Sequence, residues 1–127
     1  MGMLNLFKPR KKQCVSEIDF ITNRDQQSHL AVETLVGLRE LNVEESDAFS
    51  INFCFRTDSL DKLMQLIESL QMLNYSVKLT DNKKLFVVKG QTTSIKMTHE
   101  VLKKWAIDMC ELGYKHDCHF EKWNITT

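Results

Sequence analysis

The order of the periodic segments between residues 48 and 123 constrains the fold of this chain more than any other feature. Alternating and helical patterns follow one another there as strand, helix, strand, strand, helix, strand. This order is typical of the split β-α-β arrangement, in which helices pack on one face of an antiparallel sheet. We therefore predict an α+β fold, a ferredoxin-like sandwich (βαββαβ) with an additional N-terminal helix.

Composition and charge divide the chain into two parts. One Pro, four Gly and 43% apolar residues among 127 suit a single domain with a core of ordinary size. We predict a basic, flexible segment over residues 1–23 and a single α+β domain over residues 24–127. The domain side is acidic, because residues 13–127 hold 13 basic and 17 acidic groups. The first 12 residues contain the other basic groups, Lys8, Arg10, Lys11 and Lys12.

Strict alternation makes residues 48–56 the strongest strand in the sequence. Burying each large apolar side chain of this segment is worth about 1.5–3 kcal/mol, so the strand should anchor the core. Its apolar face carries Phe49, Ile51, Phe53 and Phe55, and its polar face carries Ser50, Asn52, Cys54 and Arg56.

Apolar residues at helical spacing predict three helices. The first covers residues 24–41. The second follows a cap at Thr57 or Asp58 and ends at Asn74, a residue type that tolerates a left-handed backbone. The third is capped by Thr98 and ends at Gly113. The predicted buried stripe of the second helix contains Leu60, Leu63, Met64, Ile67 and Leu70.

A hairpin joins the predicted strands over residues 75–80 and 85–89. The second of these strands is apolar on both faces, so we expect it to be central in the sheet. Its second face would be covered by the first helix or by a partner chain. The partner chain could be a second copy, so a homodimer is one of the alternatives. The last strand, over residues 114–123, is then an edge with unpaired backbone groups. Its predicted core face contains Tyr114, His116, Cys118 and Phe120, and its polar face contains Lys115, Asp117, His119, Glu121 and Trp123.

The sequence contains no motif that predicts catalysis. His116 and Cys118 point to one strand face and His119 to the other, so the three cannot share a tetrahedral metal ion without a bulge. Asp117 and Glu121 would be about 13 Å apart along a strand, beyond the separation of a paired acid and base. We predict solvated charges there, and a non-enzymatic protein without metal or cofactor.

Cysteine spacing and hydropathy indicate the compartment. The four cysteines show no CxxC spacing, and neither a secretory leader nor a membrane-spanning apolar run occurs, so we predict a reduced cytoplasmic protein that contacts no membrane. RNA-binding modules with this strand order stack bases on aromatic residues of the exposed sheet face. The aromatic residues of the first strand lie with Ile51 on the covered face, so no direct nucleic-acid contact is predicted.

Residues 27–125 resemble the ribonuclease E inhibitor B family, also called regulator of ribonuclease activity B (RraB-like). The shared features are a leading helix, a Ser46-Asp47 loop before the first strand, and two short motifs. Residues 73–77 read Leu-Asn-Tyr-Ser-Val where the family has Leu-Gly-Tyr-x-Val, and residues 120–123 read Phe-Glu-Lys-Trp where it has Tyr-Asp-Gly-Trp. The order and spacing of these features carry the resemblance.

The resemblance implies a non-catalytic bacterial protein of the cytoplasm that binds an endonuclease and restrains RNA decay. Its partner would be ribonuclease E or another component of the RNA degradosome. We expect the polar sheet face or the last strand to bind this partner, with Trp123 as the main contact, because tryptophan is enriched at interface hot spots. Replacing Trp123 by Ala would then spare stability, unless this residue closes the end of the core. Lower-ranked candidates on the same presumed face are Glu121, His119, Arg56, Lys78 and Asn52.

Two other functions remain open. An immunity protein that neutralises a toxin would share the same binding physics and differ only in its target. A small enzyme or ligand carrier would use a pocket between sheet and helices, with His116 or His119 as acid or base.

Overall fold

A computed structural model describes residues 13–82 and 85–126 of the chain. Residues 1–12 of the predicted basic segment and residues 83–84 of the predicted hairpin turn lie outside these described residues. The elements in chain order are α1 (Glu17–Glu40), β1 (Ala48–Phe49), β2 (Ile51–Thr57), α2 (Leu60–Met72), β3 (Ser76–Asn82), β4 (Leu85–Gln91), β5 (Ile95–Lys96), α3 (His99–Lys115) and β6 (His119–Ile125).

The strands form two antiparallel sheets, which confirms the predicted α+β class. The larger sheet has the order β3-β4-β2-β6, and the smaller one pairs β1 with β5. β2 and β4 are therefore central, as the sequence predicts, and β3 and β6 are the edges. Helices α2 and α3 pack against the sheet on the face that carries the core side chains of β2, while α1 packs along α3.

The core is built on β2, whose side chains Ile51, Phe53 and Phe55 are buried against the helices. The predicted strand over residues 48–56 is interrupted at Ser50, so Phe49 belongs to β1 and lies opposite Ile95 in the small sheet. Phe49 is only partly buried, although it still packs against the core. The predicted apolar face is thus divided between two sheets.

Helix α2 has a different buried stripe from the predicted one. Its buried side chains are Leu63, Leu66, Ile67 and Leu70, whereas the predicted Leu60 and Met64 are 41% and 51% exposed. The N-cap position is Ser59. Thr57 ends β2 instead of capping the helix, because its hydroxyl donates to the backbone oxygen of Asp117.

Helix α1 begins seven residues before the predicted start, at Glu17, so residues 17–23 are helical and not part of a flexible segment. The hydroxyl of Ser16 caps the first turn by accepting from the backbone N–H of Asp19. The ring of Phe20 stacks on Tyr114 of α3 at 4.3 Å between centroids. The beginning of α1 is thereby attached to the end of α3.

All three helices end in a residue with positive φ that is not glycine. These residues are Asn42 (φ 65°), Asn74 (φ 64°) and Asp117 (φ 54°). In each case the next N–H donates back to a carbonyl of the last turn, which is the Schellman arrangement. The predicted ending at Asn74 is confirmed. The predicted ending at Gly113 is wrong, because α3 continues to Lys115.

Gly113 is instead required because α3 packs closely against neighbouring elements at this position. A Cβ atom at this position would lie 2.6 Å from the backbone oxygen of Cys118 and 2.8 Å from Cε1 of Phe55. Gly37 of α1 provides a contrast, because a Cβ atom there would meet nothing within 4 Å. The two helical glycines therefore differ in the space beside them and not in their backbone conformation.

We expect Gly113→Ala to destabilise the protein by about 1–3 kcal/mol, because a methyl group would force β2 or the start of β6 to shift. Gly37→Ala is the matched control, and it should stabilise the protein by about 0.5–1 kcal/mol because Ala is the better helix former. Urea unfolding of both variants measures this. Equal effects of the two substitutions would contradict the packing at Gly113.

Candidate functional site

A β-bulge in β6 determines which side chains of the last strand face the core. Phe55 pairs with Phe120 and Cys54 pairs with Lys122, so Glu121 is the extra residue. The bulge reverses the alternation, and Phe120 and Trp123 consequently both face the helices. The predicted strand over residues 114–123 is also wrong at its start, since Tyr114 and Lys115 are in α3 and His116 is its C-cap.

Trp123 is part of the core, so its predicted exposure on the polar face is wrong. Its side chain is 6% exposed, and its indole N–H donates to Oε1 of Gln27 at 2.9 Å. Its ring meets Trp105 edge to face at 5.4 Å between centroids. The alternative prediction, that Trp123 closes the end of the core, is confirmed.

Helix α1 covers the outer edge of β6. Nδ2 of Asn23 donates to the backbone oxygen of Phe120 at 2.9 Å, and Nε2 of Gln27 donates to Oδ1 of Asn23 at 3.0 Å. Both amide side chains are buried, and the bond from Asn23 satisfies one backbone oxygen of β6. The last strand is therefore an edge of the sheet, as the sequence predicts, with one of its backbone acceptors bonded by a side chain of α1.

The sheet face opposite the helices carries polar side chains arranged in three rows, and we call it the open face. The residues of each row are paired across neighbouring strands in the order β3, β4, β2, β6. The first row is Ser76, Gln91, Asn52 and Asn124, the second is Lys78, Lys89, Cys54 and Lys122, and the third is Thr80, Val87, Arg56 and His119.

Three lysines of the second row, Lys78, Lys89 and Lys122, form what we call the lysine row. All three are exposed, and none has an ion pair with a carboxylate in residues 13–82 and 85–126. Lys78 lies directly opposite Lys89, and like charges in that position destabilise a sheet. The row therefore costs folding energy, and a bound anionic group would offset this cost.

The first row is an ordered chain of amides beside the lysine row. Nδ2 of Asn52 donates to Oδ1 of Asn124 at 3.0 Å, and Nε2 of Gln91 donates to Oδ1 of Asn52 at 3.1 Å. These bonds fix the orientations of the amide groups before any partner arrives. Cys54 is buried in the middle of the lysine row, where its thiol donates to Oε2 of Glu121.

A cleft of about 450 Å³ lies between the first turns of α1 and the third row of the open face. Burial and the neighbouring Arg56 lower the pKa of His119 in this cleft, although Glu121 and Asp19 act in the opposite direction. His119 is therefore neutral at pH 7. Burial and the nearby Asp58 raise the pKa of Cys14, which also lines the cleft, so its thiol is not activated as a nucleophile.

The structure places five of the six predicted binding residues on the open face: Asn52, Arg56, Lys78, His119 and Glu121. Trp123 lies on the other side of the sheet. The sequence reasoning missed Lys89 and Lys122. The hairpin register gave a signal for Lys89, because it pairs with Lys78, but no periodic pattern reveals the bulge that turns Lys122 outward. Whether these residues bind a partner stays a prediction.

His116, Cys118 and His119, which the sequence places near one another as possible metal ligands, have separate environments. His116 contacts Oγ of Ser69 at 3.2 Å, and burial lowers its pKa. Cys118 is buried in the core, which raises its pKa to about 12. His119 belongs to the open face. Within the described part of the chain, no three His, Cys, Asp or Glu side chains are grouped as metal ligands.

Asp117 connects three parts of the chain and is not the solvated charge that the sequence predicts. Its carboxylate accepts from the backbone N–H groups of Cys14 and Val15, both at 2.7 Å, and from Nζ of Lys62. Burial alone would raise the pKa of Asp117, but these hydrogen bonds outweigh it and lower the pKa. The hydrogen bonds from Cys14 and Val15 hold the segment before α1 beside the cleft, and Lys62 pairs with the same carboxylate.

Comparison with known proteins does not identify the chain, since it matches no family model and no curated protein. None of the helices in the described residues is long and apolar enough to cross a membrane.

We expect Asp117→Asn to lower the free energy of unfolding by about 1–3 kcal/mol at pH 7, because charge-assisted hydrogen bonds are lost. The folded pKa lies below the ordinary value of 3.8, so this stabilisation is complete above about pH 4 and is lost as the pH falls through the folded pKa. Urea unfolding at pH 7, 5 and 3 should show the variant and the original protein converging at low pH. The exposed Asp25→Asn serves as control, and a difference independent of pH would contradict the role of Asp117.

We expect Trp123→Ala to destabilise the protein by about 3–5 kcal/mol, because it leaves a cavity beside Trp105 and removes the partner of Gln27. Trp123→Phe should cost less, since most of the volume remains. Thermal unfolding of both variants is the measurement. If the Ala substitution left the melting temperature unchanged, this would contradict the burial of Trp123 and would favour the exposed contact that the sequence predicts.

Proposed function

We propose that this chain is a non-catalytic regulatory module that binds another protein through the open face. The lysine row is the observation that carries the proposal. Three exposed lysines without carboxylate partners in the described residues stand beside an ordered row of amides. Such an arrangement costs stability in the free protein, and an acidic surface of a partner would compensate the charge.

The proposed fold is a ferredoxin-like sandwich with an additional helix, α1. The strand order β3-β4-β2-β6, with α2 and α3 on one face, supports this assignment. In our proposal α1 is an accessory element that contacts β6 through Asn23 and Gln27. The open face is then the large surface that the fold leaves for a partner.

The proposed partner is ribonuclease E or another component of the RNA degradosome, bound in the cytoplasm so that RNA decay is restrained. The order of helices and strands and the two motifs shared with the RraB-like family support this proposal. Both motifs lie at structurally defined places: residues 73–77 contain the turn that follows α2 and the start of β3, and residues 120–123 contain the bulge of β6.

A protein suits the open face better than RNA does. The three rows contain no Phe, Tyr or Trp, so the open face offers no stacking platform for unpaired bases in the described residues. Hydrogen-bonded amides and separated ammonium groups match the carboxylates and backbone amides of a protein surface. We therefore propose no direct nucleic-acid contact.

The test uses purified ribonuclease E, immobilised for interferometry and, in parallel, cleaving a labelled RNA. We expect the chain to bind and slow cleavage, and Lys89→Glu combined with Lys122→Glu to weaken both effects at least about tenfold, because like charges across an interface cost more than 1.4 kcal/mol. The matched control is Lys96→Glu with Lys103→Glu, which changes the net charge equally at exposed sites away from the open face.

Circular dichroism melts establish that both double variants remain folded. Equal loss of binding in the two double variants would contradict the open face as the contact surface. Absence of any binding by the original protein would contradict the proposed partner.

A further inference from the structure

The two edges of the large sheet differ in their protection. The edge of β6 is bulged at Glu121, and its Phe120 backbone oxygen already accepts from Asn23 of α1. β3 pairs with β4 over seven residues, from Ser76 opposite Gln91 to Asn82 opposite Leu85, in one continuous register. β3 contains no proline and no bulge, and no described strand pairs with its outer side. Half of its backbone groups therefore point away from the sheet, ready to pair with another strand.

The two faces of β3 offer different chemistry at this edge. Leu79 points to the helix side of the sheet, where it is 43% exposed, although its neighbour across β4 is the fully buried Val88. Lys78 and Thr80 point to the open face. A strand added beside β3 would place every second side chain next to Leu79 and the remaining ones next to Lys78.

The charge of the lysine row determines which kind of strand can pair with β3. Lys78 already faces Lys89 across the sheet, so a basic side chain beside Lys78 would lengthen a row of like charges, whereas an acidic one would offset it. A second copy of this chain is disfavoured for the same reason, because joining two β3 edges would bring two lysine rows together. Charge complementarity thus points to an acidic segment of another protein.

We propose that β3 accepts an extended segment of the partner as an additional strand, and that this segment alternates acidic with apolar side chains. The inference rests on the proposed binding function and names the chemistry of the partner. Backbone hydrogen bonds along β3 hold the segment, its acidic side chains continue the lysine row, and its apolar side chains cover Leu79.

The experiment uses a blocked ten-residue peptide of alternating Glu and Val, added to the full chain labelled with nitrogen-15. We expect amide shifts concentrated in β3 and β4 and slowed hydrogen exchange along β3. Lys78→Glu should weaken binding at least about tenfold, because it places acid beside acid. Lys103→Glu, an exposed charge reversal on α3, should leave binding within about twofold.

Backbone methylation of the peptide separates strand addition from attraction to the open face. In an extended strand all Glu N–H groups point to one side and all Val N–H groups to the other. Methylating one set should abolish binding, and methylating the other should preserve it. Equal binding by both methylated peptides would overturn strand addition and leave the proposed open-face function standing.

Two further outcomes would also overturn the inference. One is binding by an alternating Lys and Val peptide as strong as that of the Glu and Val peptide. The other is binding of a ten-nucleotide uridine RNA to the same amides with higher affinity, since this would assign the surface to nucleic acid. If ribonuclease E binding still depends on Lys89 and Lys122 while the acidic peptide fails, the strand addition alone is rejected.

Discussion

The bulge at Glu121 is the local feature on which the arrangement of the molecule depends. It lets Phe120 and Trp123 face the helices from the same strand, although they are three positions apart. The indole of Trp123 then reaches Gln27, whose own amide donates to Asn23. Because Asn23 bonds the backbone of Phe120, this chain of contacts connects α1 to β6. The bulge thus adds polar contacts with β6 to the packing of α1 along α3.

The consequence is a sheet that is closed on one side and open on the other. α2 and α3 cover the face that carries Phe53 and Phe55, and Asn23 of α1 bonds one backbone oxygen of β6. The outer side of β3 and the charged side chains of the open face are left uncovered by any described helix or strand. The buried face of β2 supplies the stability that makes repulsion between Lys78 and Lys89 tolerable. The charged side chains and the core side chains therefore lie on opposite faces of the same strands.

Period-two alternation was sufficient to predict the central strand, because Ile51, Phe53 and Phe55 form a pattern that only a strand buries well. It did not predict the small sheet of β1 and β5, since two-residue strands are too short to show alternation. It was insufficient for Trp123, since a bulge adds a residue without any sign in the sequence. The early start of α1 was missed because the buried residue of its first seven positions is Asn23, whose partner Phe120 lies in β6, 97 positions away. A polar residue buried by a distant contact does not produce an apolar stripe.

The charged side chains are distributed unevenly, so the open face is basic although residues 13–127 as a whole are acidic. Residues 13–127 hold 13 basic and 17 acidic groups, so the domain as a whole repels an acidic partner. Four of the basic groups lie on the open face with one carboxylate, Glu121: they are Lys78, Lys89, Lys122 and Arg56. An approaching acidic surface is therefore turned away from most of the protein and attracted at this face, which orients the encounter before any contact forms. Asp117 holds residues 14 and 15 beside the cleft next to Arg56 and is itself paired with Lys62, so a further positive charge lies near this end of the open face.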